Sequence, residues 1–490
     1  MNFLETAIAA ISPEKALRRL QAKRVLAAYE AAKPTTLRKQ SRDYGSGDRW
    51  VTQAGSNLRN QARFLDANHD IAKGTLNALV NNIVGAEGIG IEPQPRTMSG
   101  EIHEKLADDL HRLWQNWSRK PEVTFTTDWA GAQRLLCRSW MRDGEVMTKS
   151  LLGNVPFLQH GTEVKFSIEM LEAEMCPLIF NDSYKKIIQG IQKNGWGQPK
   201  KYYFYRHHPG DINVYTHQAL DLKAFDAELI NHLRLRDRIS QLRGVSVFAA
   251  VMTRLDDIKD YEESERIAAK IAASMAAYIK KGQPEMYEPD MNNDPRSLKF
   301  SPGMVFDDLS PGEEVGMIDT NRPNPQLIEY RKGQLRAVAA GTGANFSTIS
   351  RSYEGSYSSQ RQELVEGWTN YKVLTSEFIS GMARPTWETF VKMAVLDGLV
   401  TVPADIDPLS LDDALFIGPS MPWIDPAKEE KANILAERAN HVSGPEIIRK
   451  RGGNPRNVLD QAVRWRKQQQ DRKLVSTADP ANDNQGGMNA

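Results

Sequence analysis

The chain has 490 residues, 40% of them hydrophobic and 26% charged, with a mean hydropathy of -0.52 and a formal net charge of +1. That length exceeds what one hydrophobic core usually sustains, so two or more substructures are expected in a water-exposed protein. The near-neutral balance excludes a global basic field for nucleic acid, which leaves only local contacts, and the two distant cysteines, Cys137 and Cys176, exclude a disulfide framework or a CxxC metal knuckle.

The opening "MNFLETAIAAISPEKALRRL" has an apolar patch too short for a signal sequence and lacks the preceding basic segment, so a cytoplasmic protein is expected. No apolar run approaches the length of a membrane span; "TLNALVNNIVGAEGIGI" is split by asparagines and glycines. A first helix is expected at 13–32, with Ser12 as N-cap, Pro13 in the first turn, and Leu17, Leu20 and Val25 on one side. A flexible polar arm follows over 33–60, then a helix at about 62–84 ending at Gly85. Leu106, Leu110, Leu113, Trp114 and Trp117 recur at helical spacing within 101–118, as do Leu135, Leu136 and Trp140 within 129–143; these tryptophans read as core.

From 145 to 220 short alternating runs such as "VKFSIEML", "KIIQGIQ" and "KKYYFY" predict a β-rich module. Val251, Leu255, Ile258, Tyr261, Ile267, Ile271, Met275 and Tyr278 then predict one helix of roughly 30 residues whose alanine-rich second half allows close helix packing. Turns and short strands are expected at 284–320, with "LSPGEEV" as a turn, and helices at about 325–340 and 359–398. In the second of these, Ser359 and Gln362 fit a capping box, and Leu364, Trp368 and Tyr371 share a face. After the linker "TVPADIDPLSLDD" comes a helical unit, and "STADPANDNQGGMNA" has the composition of a disordered tail.

Catalytic patterns fail. No GxxxxGK[ST], GxSxG or HExxH occurs, and His103-Glu104 has its next histidine at His111, too far for one zinc face. Adjacent His207 and His208 near Asp211 would point to opposite faces of a strand, and Ser183 with Lys186 matches SxxK without partners. Basic residues say more: Arg234, Arg236 and Arg238 alternate in "HLRLRDRISQLRG", Arg243 follows, and Arg331, Lys332 and Arg336 lie along a later helix. Each is ordinarily a solvated or ion-paired side chain; a ring would repeat it around a channel where a polyanion could meet it.

"YEGSYSSQRQELVEGW" resembles the most recognisable stretch of the lambda family of bacteriophage portal proteins, a tyrosine and two serines before an arginine-bearing helix. In the same order, "LRNQARFLDANHDIAKGTLNALVNNIVGAEGIGIEPQP", "QLRGVSVFAAVMTRLDDIKDYEESERIAAKIAA", "LSPGEEV" and "PSMPWIDPAKEEKAN" are similar to that family over about 56–465, with Ser310 where a second proline is common and "RGGNP" in place of a glycine-aspartate pair. The resemblance implies an α+β portal fold in a ring, usually dodecameric, at one capsid vertex of the virion, assembled in the host cytoplasm. Double-stranded DNA would pass through it, and its partners would be the terminase large subunit, the major capsid and scaffold proteins, and head-completion or tail adaptor proteins. It implies no cofactor, no metal, no membrane and no catalysis.

On that pattern 1–55 is an N-terminal helix and arm, 56–164 and 282–404 two parts of a wing, 165–235 a clip, 236–281 a stem with the long helix, 405–473 a crown and 474–490 a tail. The segment 341–357 would be a channel loop hinged at Gly341, Gly343 and Gly355, with Arg331, Lys332, Arg336, Arg351 and Tyr353 toward DNA and Arg234, Arg236, Arg238 and Arg243 as basic residues of clip and stem. Another head-tail connector or minor capsid protein is the nearer alternative; a nucleic-acid-processing enzyme built on "RHHPGD" is the more distant one.

Overall fold

The computed structural model describes residues 45–211, 221–273, 277–281, 313–317, 326–422, 425–472 and 474. The helix expected at 13–32, most of the arm and nearly all of the tail lie outside the described residues. The chain divides into two compact units, Met1–Trp50 and Val51–Ala490, and the first contributes only 45–50 to the description.

Helix α1 (Gly47–Asn68) corrects the expected arm, which ran to residue 60. Val51, Leu58, Ala62 and Leu65 recur at steps of three, four and seven and turn toward the interior, so helical periodicity was present beneath a polar composition. His69 separates α1 from α2 (Asp70–Ile83): its Nδ1 accepts from the Ile71 amide at 3.2 Å while its Nε2 meets the Leu255 carbonyl at 2.9 Å. After Gly85, in the left-handed region at φ 76°, come strand β1 (Gly90–Pro93), α3 (Glu104–Trp117) and α4 (Trp129–Asp143), the last capped by Asp128.

The tryptophans of α3 and α4 are core, as expected, whereas Leu135 faces solvent. Trp117 stacks on Phe166 at 5.0 Å, and Trp114 meets Trp387 and Phe390 edge-on at 5.4 and 5.0 Å. Strands β2 (Glu145–Leu152), β3 (Phe166–Leu171), β4 (Ile187–Ile188), β5 (Ile191–Lys193), β6 (Pro199–Tyr205), β7 (Leu222–Asp226) and β8 (Ile230–Arg234) follow. They form two antiparallel sheets, β3-β2-β8 and β4-β5-β6-β7, around a small core of Met147, Leu171, Cys176, Ile191, Tyr202, Phe204 and Ile230.

Helix α5 (Met252–Ala273) has 22 residues, not the expected 30. Residues 277–281 instead form β9 (Ala277–Lys281), antiparallel to β10 (Glu313–Met317), with Lys280 and Lys281 at register positions opposite Glu314 and Glu313. Part of "LSPGEEV" is therefore strand. Then come α6 (Leu327–Thr342), α7 (Phe346–Ser350) and α8 (Tyr357–Phe378), continued without a break by a π turn at Ile379–Ala383 into α9 (Arg384–Leu396). Pro385 explains the widened turn, because it has no amide for the ladder and its ring needs room. Gly381 lets β8 approach: a Cβ there would lie 2.7 Å from Leu233 Cδ1.

Strand β11 (Ala414–Ile417) pairs with β1, so 405–417 joins the body, and Ile406 is buried there. Helices α10 (Pro426–Arg438), α11 (Gly444–Lys450) and α12 (Pro455–Asp471) carry little buried apolar surface and are tied to the body by Arg449 to Glu92 at 2.8 and 3.0 Å and Arg456 to Asp108 at 2.6 Å. No helix among the described residues is long and apolar enough to cross a membrane.

Both cysteines are buried and free, and burial pushes both thiols up, Cys176 to about 11. An aromatic disulfide reagent at pH 8 should therefore label neither in the native chain and both after denaturation, since the thiolate is the nucleophile. Rapid labelling without denaturant would contradict the packing described.

Candidate nucleic-acid interface

Helices α6, α7 and α8 surround the stretch that the sequence read as a hinged loop, and most of it is helical. Gly341 lies inside α6 against Val251, where a Cβ would sit 2.4 Å from Val251 Cγ1. Gly343 is the left-handed cap of α6 at φ 72°; its amide donates to the Ala339 carbonyl, and its own carbonyl accepts from Asn370 Nδ2 at 3.0 Å. Neither is a hinge: one is demanded by packing and the other by helix termination. The irregular part is 351–356, with Gly355 in it.

The cap of α8 is Ser356, whose hydroxyl accepts from the Ser359 amide at 3.3 Å, three residues before the predicted start. Gln360, not Gln362, reaches back, its Nε2 donating to the carbonyls of Tyr353 and Gly355. Trp368 and Tyr371 are buried as the periodicity implied, and the Tyr371 hydroxyl accepts from the Asn345 amide at 3.2 Å.

Lys332, Arg336, Phe346, Tyr353, Glu354 and Gln360 help to line an open groove of about 280 Å³ between α6 and this loop. Lys332 Nζ lies 3.0 Å from Glu354 and 3.5 Å from Glu329, and the Glu354 contact raises the Lys332 pKa. Arg336 lies over the Phe346 ring at 5.4 Å, with no carboxylate partner among the described residues. Arg331 is set against Glu262 at 2.5 Å. Arg351, exposed and left-handed at φ 54°, caps α7, and Tyr353 is exposed. Thus three of the five predicted residues, Lys332, Arg336 and Tyr353, line one groove, Arg351 lies just outside its lining, and Arg331 is turned toward α5. Glu354 was missed because its partner is 22 residues away, beyond any local spacing rule.

The second basic set disperses. Arg236 and Arg238 are exposed, while Arg234 is half-buried and donates to the Leu242 carbonyl at 2.7 Å. Arg243 is fully buried, so it cannot meet a polyanion. It sits 2.7 Å from Glu145 and donates to the carbonyls of Ala173, Cys176 and Gln189 at 2.8, 3.0 and 2.8 Å. Arg59 Nη2 and His232 Nε2 reach the same carboxylate at 2.9 and 3.0 Å. Gly144 and Gly244 make this possible: a Cβ on Gly244 would lie 1.9 Å from the Gly144 oxygen. Glu145 with Arg59, His232 and Arg243 is thus an internal brace joining the β-rich module to the helices.

"RHHPGD" also finds partners out of sequence. His208 Nε2 is 3.1 Å from both Glu172 and Glu174, a trio whose ligand atoms all fall within 4.8 Å. Arg63 already engages both of its carboxylates, 3.4 Å from Glu172 and ion-paired with Glu174. Asp211 is not in the trio.

Residues 33–374 match the family model described as phage portal protein, lambda family. The chain belongs to that family. Portal-family membership makes it a structural protein and not an enzyme, which removes the nuclease reading of "RHHPGD". Among curated relatives, a probable portal protein of Halomonas phage phiHAP-1 is 23% identical over 436 residues, covering 85% of this chain and 81% of the relative. Portal protein B of Escherichia phage lambda is 21% identical over 253 residues, covering 46% of this chain and 47% of the relative. Solved structures include the neck of a native gene transfer agent particle with C12 symmetry, at 11% identity and TM-score 0.46, covering 82% of this chain and 94% of that one. The virion of a native gene transfer agent gives 12% identity and TM-score 0.45, covering 84% and 99%.

Proposed function

We propose that copies of this chain form a ring at one capsid vertex, and that double-stranded DNA is packaged and later ejected through its centre. The match of 33–374 to the portal family carries the reading. The ring is a dodecamer in the virion, assembled in the host cytoplasm with the major capsid and scaffold proteins. The terminase large subunit drives DNA through it, and head-completion or tail adaptor proteins dock on it afterwards. Residues 56–164 and 282–404 form the wing, 165–235 the clip, 236–281 the stem and 405–473 the crown. Purified chain, alone and with its scaffold protein, should give rings with a central hole by electron microscopy and a matching particle mass. Particles that stay monomeric with scaffold across protein and salt concentrations would refute it.

In this reading the groove between α6 and 351–356 faces the DNA, supported by its basic lining. Because Lys332 already has a carboxylate partner and Arg336 has none among the described residues, Arg336 supplies the larger share of any phosphate contact. Replacing Lys332 and Arg336 together by glutamine should weaken duplex binding by rings severalfold and flatten its dependence on salt, since each lost phosphate contact lowers the slope by about one. Melting should be nearly unchanged. Rings that fail to assemble would instead mark these side chains as structural.

A further inference from the structure

Two turns at one end of the β4-β5-β6-β7 sheet hold aromatic side chains away from the protein. Tyr184 is 95% exposed and Trp196 93% exposed, an unusual state for the two largest aromatic residues outside a binding surface. Register places them together at that end: Lys193, which leads into the second turn, donates its amide to the Lys186 carbonyl at 3.1 Å, and Gln192 Nε2 donates to the Lys185 carbonyl at 3.1 Å.

Neither turn is loose. Asp182 Oδ1 accepts from the Lys185 amide at 3.0 Å, and Asp182 and Ile187 exchange backbone bonds at 2.9 and 2.8 Å. Asn194 Oδ1 accepts from the amides of Trp196 and Gln198 at 2.9 and 3.0 Å, and Gly197 takes the left-handed conformation at φ 87°. Because the backbone beneath the rings is already ordered, a partner that covers them need not order the turns as well, which suits binding anchors. Around them stand Lys185, Lys186, Lys193, Lys200 and Lys201, of which, among the described residues, only Lys201 is near a carboxylate, Asp226 at 3.6 Å.

We propose that this end of the sheet is a docking surface for an acidic protein, with Tyr184 and Trp196 as anchors and the lysines steering the approach. A DNA duplex fits less well, because its stacked bases offer the rings no face to stack on, while single strands would. The inference extends the portal reading without depending on the ring, since a monomeric chain can be assayed.

The probe is a fluorescent glutamate–tyrosine copolymer, compared with polyglutamate, a DNA duplex and a single-stranded oligonucleotide, all against the full chain. Tyr184→Ala with Trp196→Ala should weaken copolymer binding about tenfold or more, mainly through faster dissociation. Replacing Lys185, Lys186, Lys200 and Lys201 by glutamine should slow association and reduce its salt dependence. Phe157→Ala, at an equally exposed ring on another loop, should leave binding and melting unchanged. Copolymer binding by the aromatic variant within about twofold of the parent would overturn the proposal, given that anchors dominate such interfaces. Equal losses on polyglutamate would also overturn it in favour of a general polyanion surface, and equal losses on the oligonucleotide in favour of single-strand stacking.

Discussion

A Glu145→Ala chain is expected to lose about 3–5 kcal/mol of unfolding free energy, the usual cost of removing one partner from a buried ion pair. The substitution leaves Arg243, fully buried, and Arg59, nearly so, without the carboxylate that both contact, and removes the acceptor of His232. Burial alone would raise the Glu145 pKa, but the Arg243 charge and the His232 hydrogen bond outweigh it and hold the carboxyl well below its ordinary range. Its folded pKa is thus depressed, so its contribution is full above the unfolded value near 4.5 and lost as pH falls through the folded one.

Urea unfolding at pH 7 should show the full deficit, and the gap between parent and variant should narrow as pH drops below about 4. His232 adds an earlier phase. Burial lowers its pKa from 6.5 to about 4 despite the Glu145 bond, so the parent should already lose stability between those two values. An unchanged midpoint at pH 7 in the variant would mean that the brace contributes nothing.

Gly244→Ala should be at least as damaging, and for a purely steric reason. The new methyl would lie 1.9 Å from the Gly144 oxygen and 2.6 Å from its carbon, both backbone atoms that no rotamer change can move. Gly144→Ala adds a positive φ of 87° to contacts of 2.3 to 2.6 Å with the backbone of Val245 and Ser246. Either should cost more than about 3 kcal/mol or abolish soluble expression, in the range reserved for backbone strain and overpacking. Gly74→Ala is the control: nothing lies within 4 Å of its Cβ position in the middle of α2, so it should gain roughly 0.5–1 kcal/mol. Matching losses in all three would mean that glycine itself, and not the crossing, matters.

These two features were the least legible part of the sequence. Glu145 and Arg243 stand 98 residues apart, and no period or motif links them, so Arg243 read as one more member of an arginine-rich surface stretch. Gly144 caps the helix before it, and nothing in its local sequence marks the close crossing with Gly244. The core was far easier to read, because Trp114, Trp117, Trp140, Trp368 and Tyr371 recur at helical spacing and helical spacing decides which side faces inward. Alternation in "VKFSIEML" and "KKYYFY" likewise gave β3 and β6.

Where local signals misled, a tertiary contact had decided. Serines and glycines made 47–60 look like an arm although α1 buries one stripe of it, and alanines made 274–281 look helical although β10 recruits part of it as a strand. The groove on α6 was half legible: the basic residues stood at helical steps, but the carboxylate that engages Lys332 came from the loop beyond α7.

The helical run from Tyr357 to Leu396 is one continuous member with a path length of about 60 Å, at 1.5 Å per residue. Its first turn borders the loop that carries Glu354, its middle abuts β8 where Gly381 meets Leu233, and its last turns drive Trp387 and Phe390 into the aromatic core. A load applied at the loop is therefore delivered to a sheet and to a packed interior through one member, whose only departure from α-helical bonding is the five-residue turn at Ile379–Ala383.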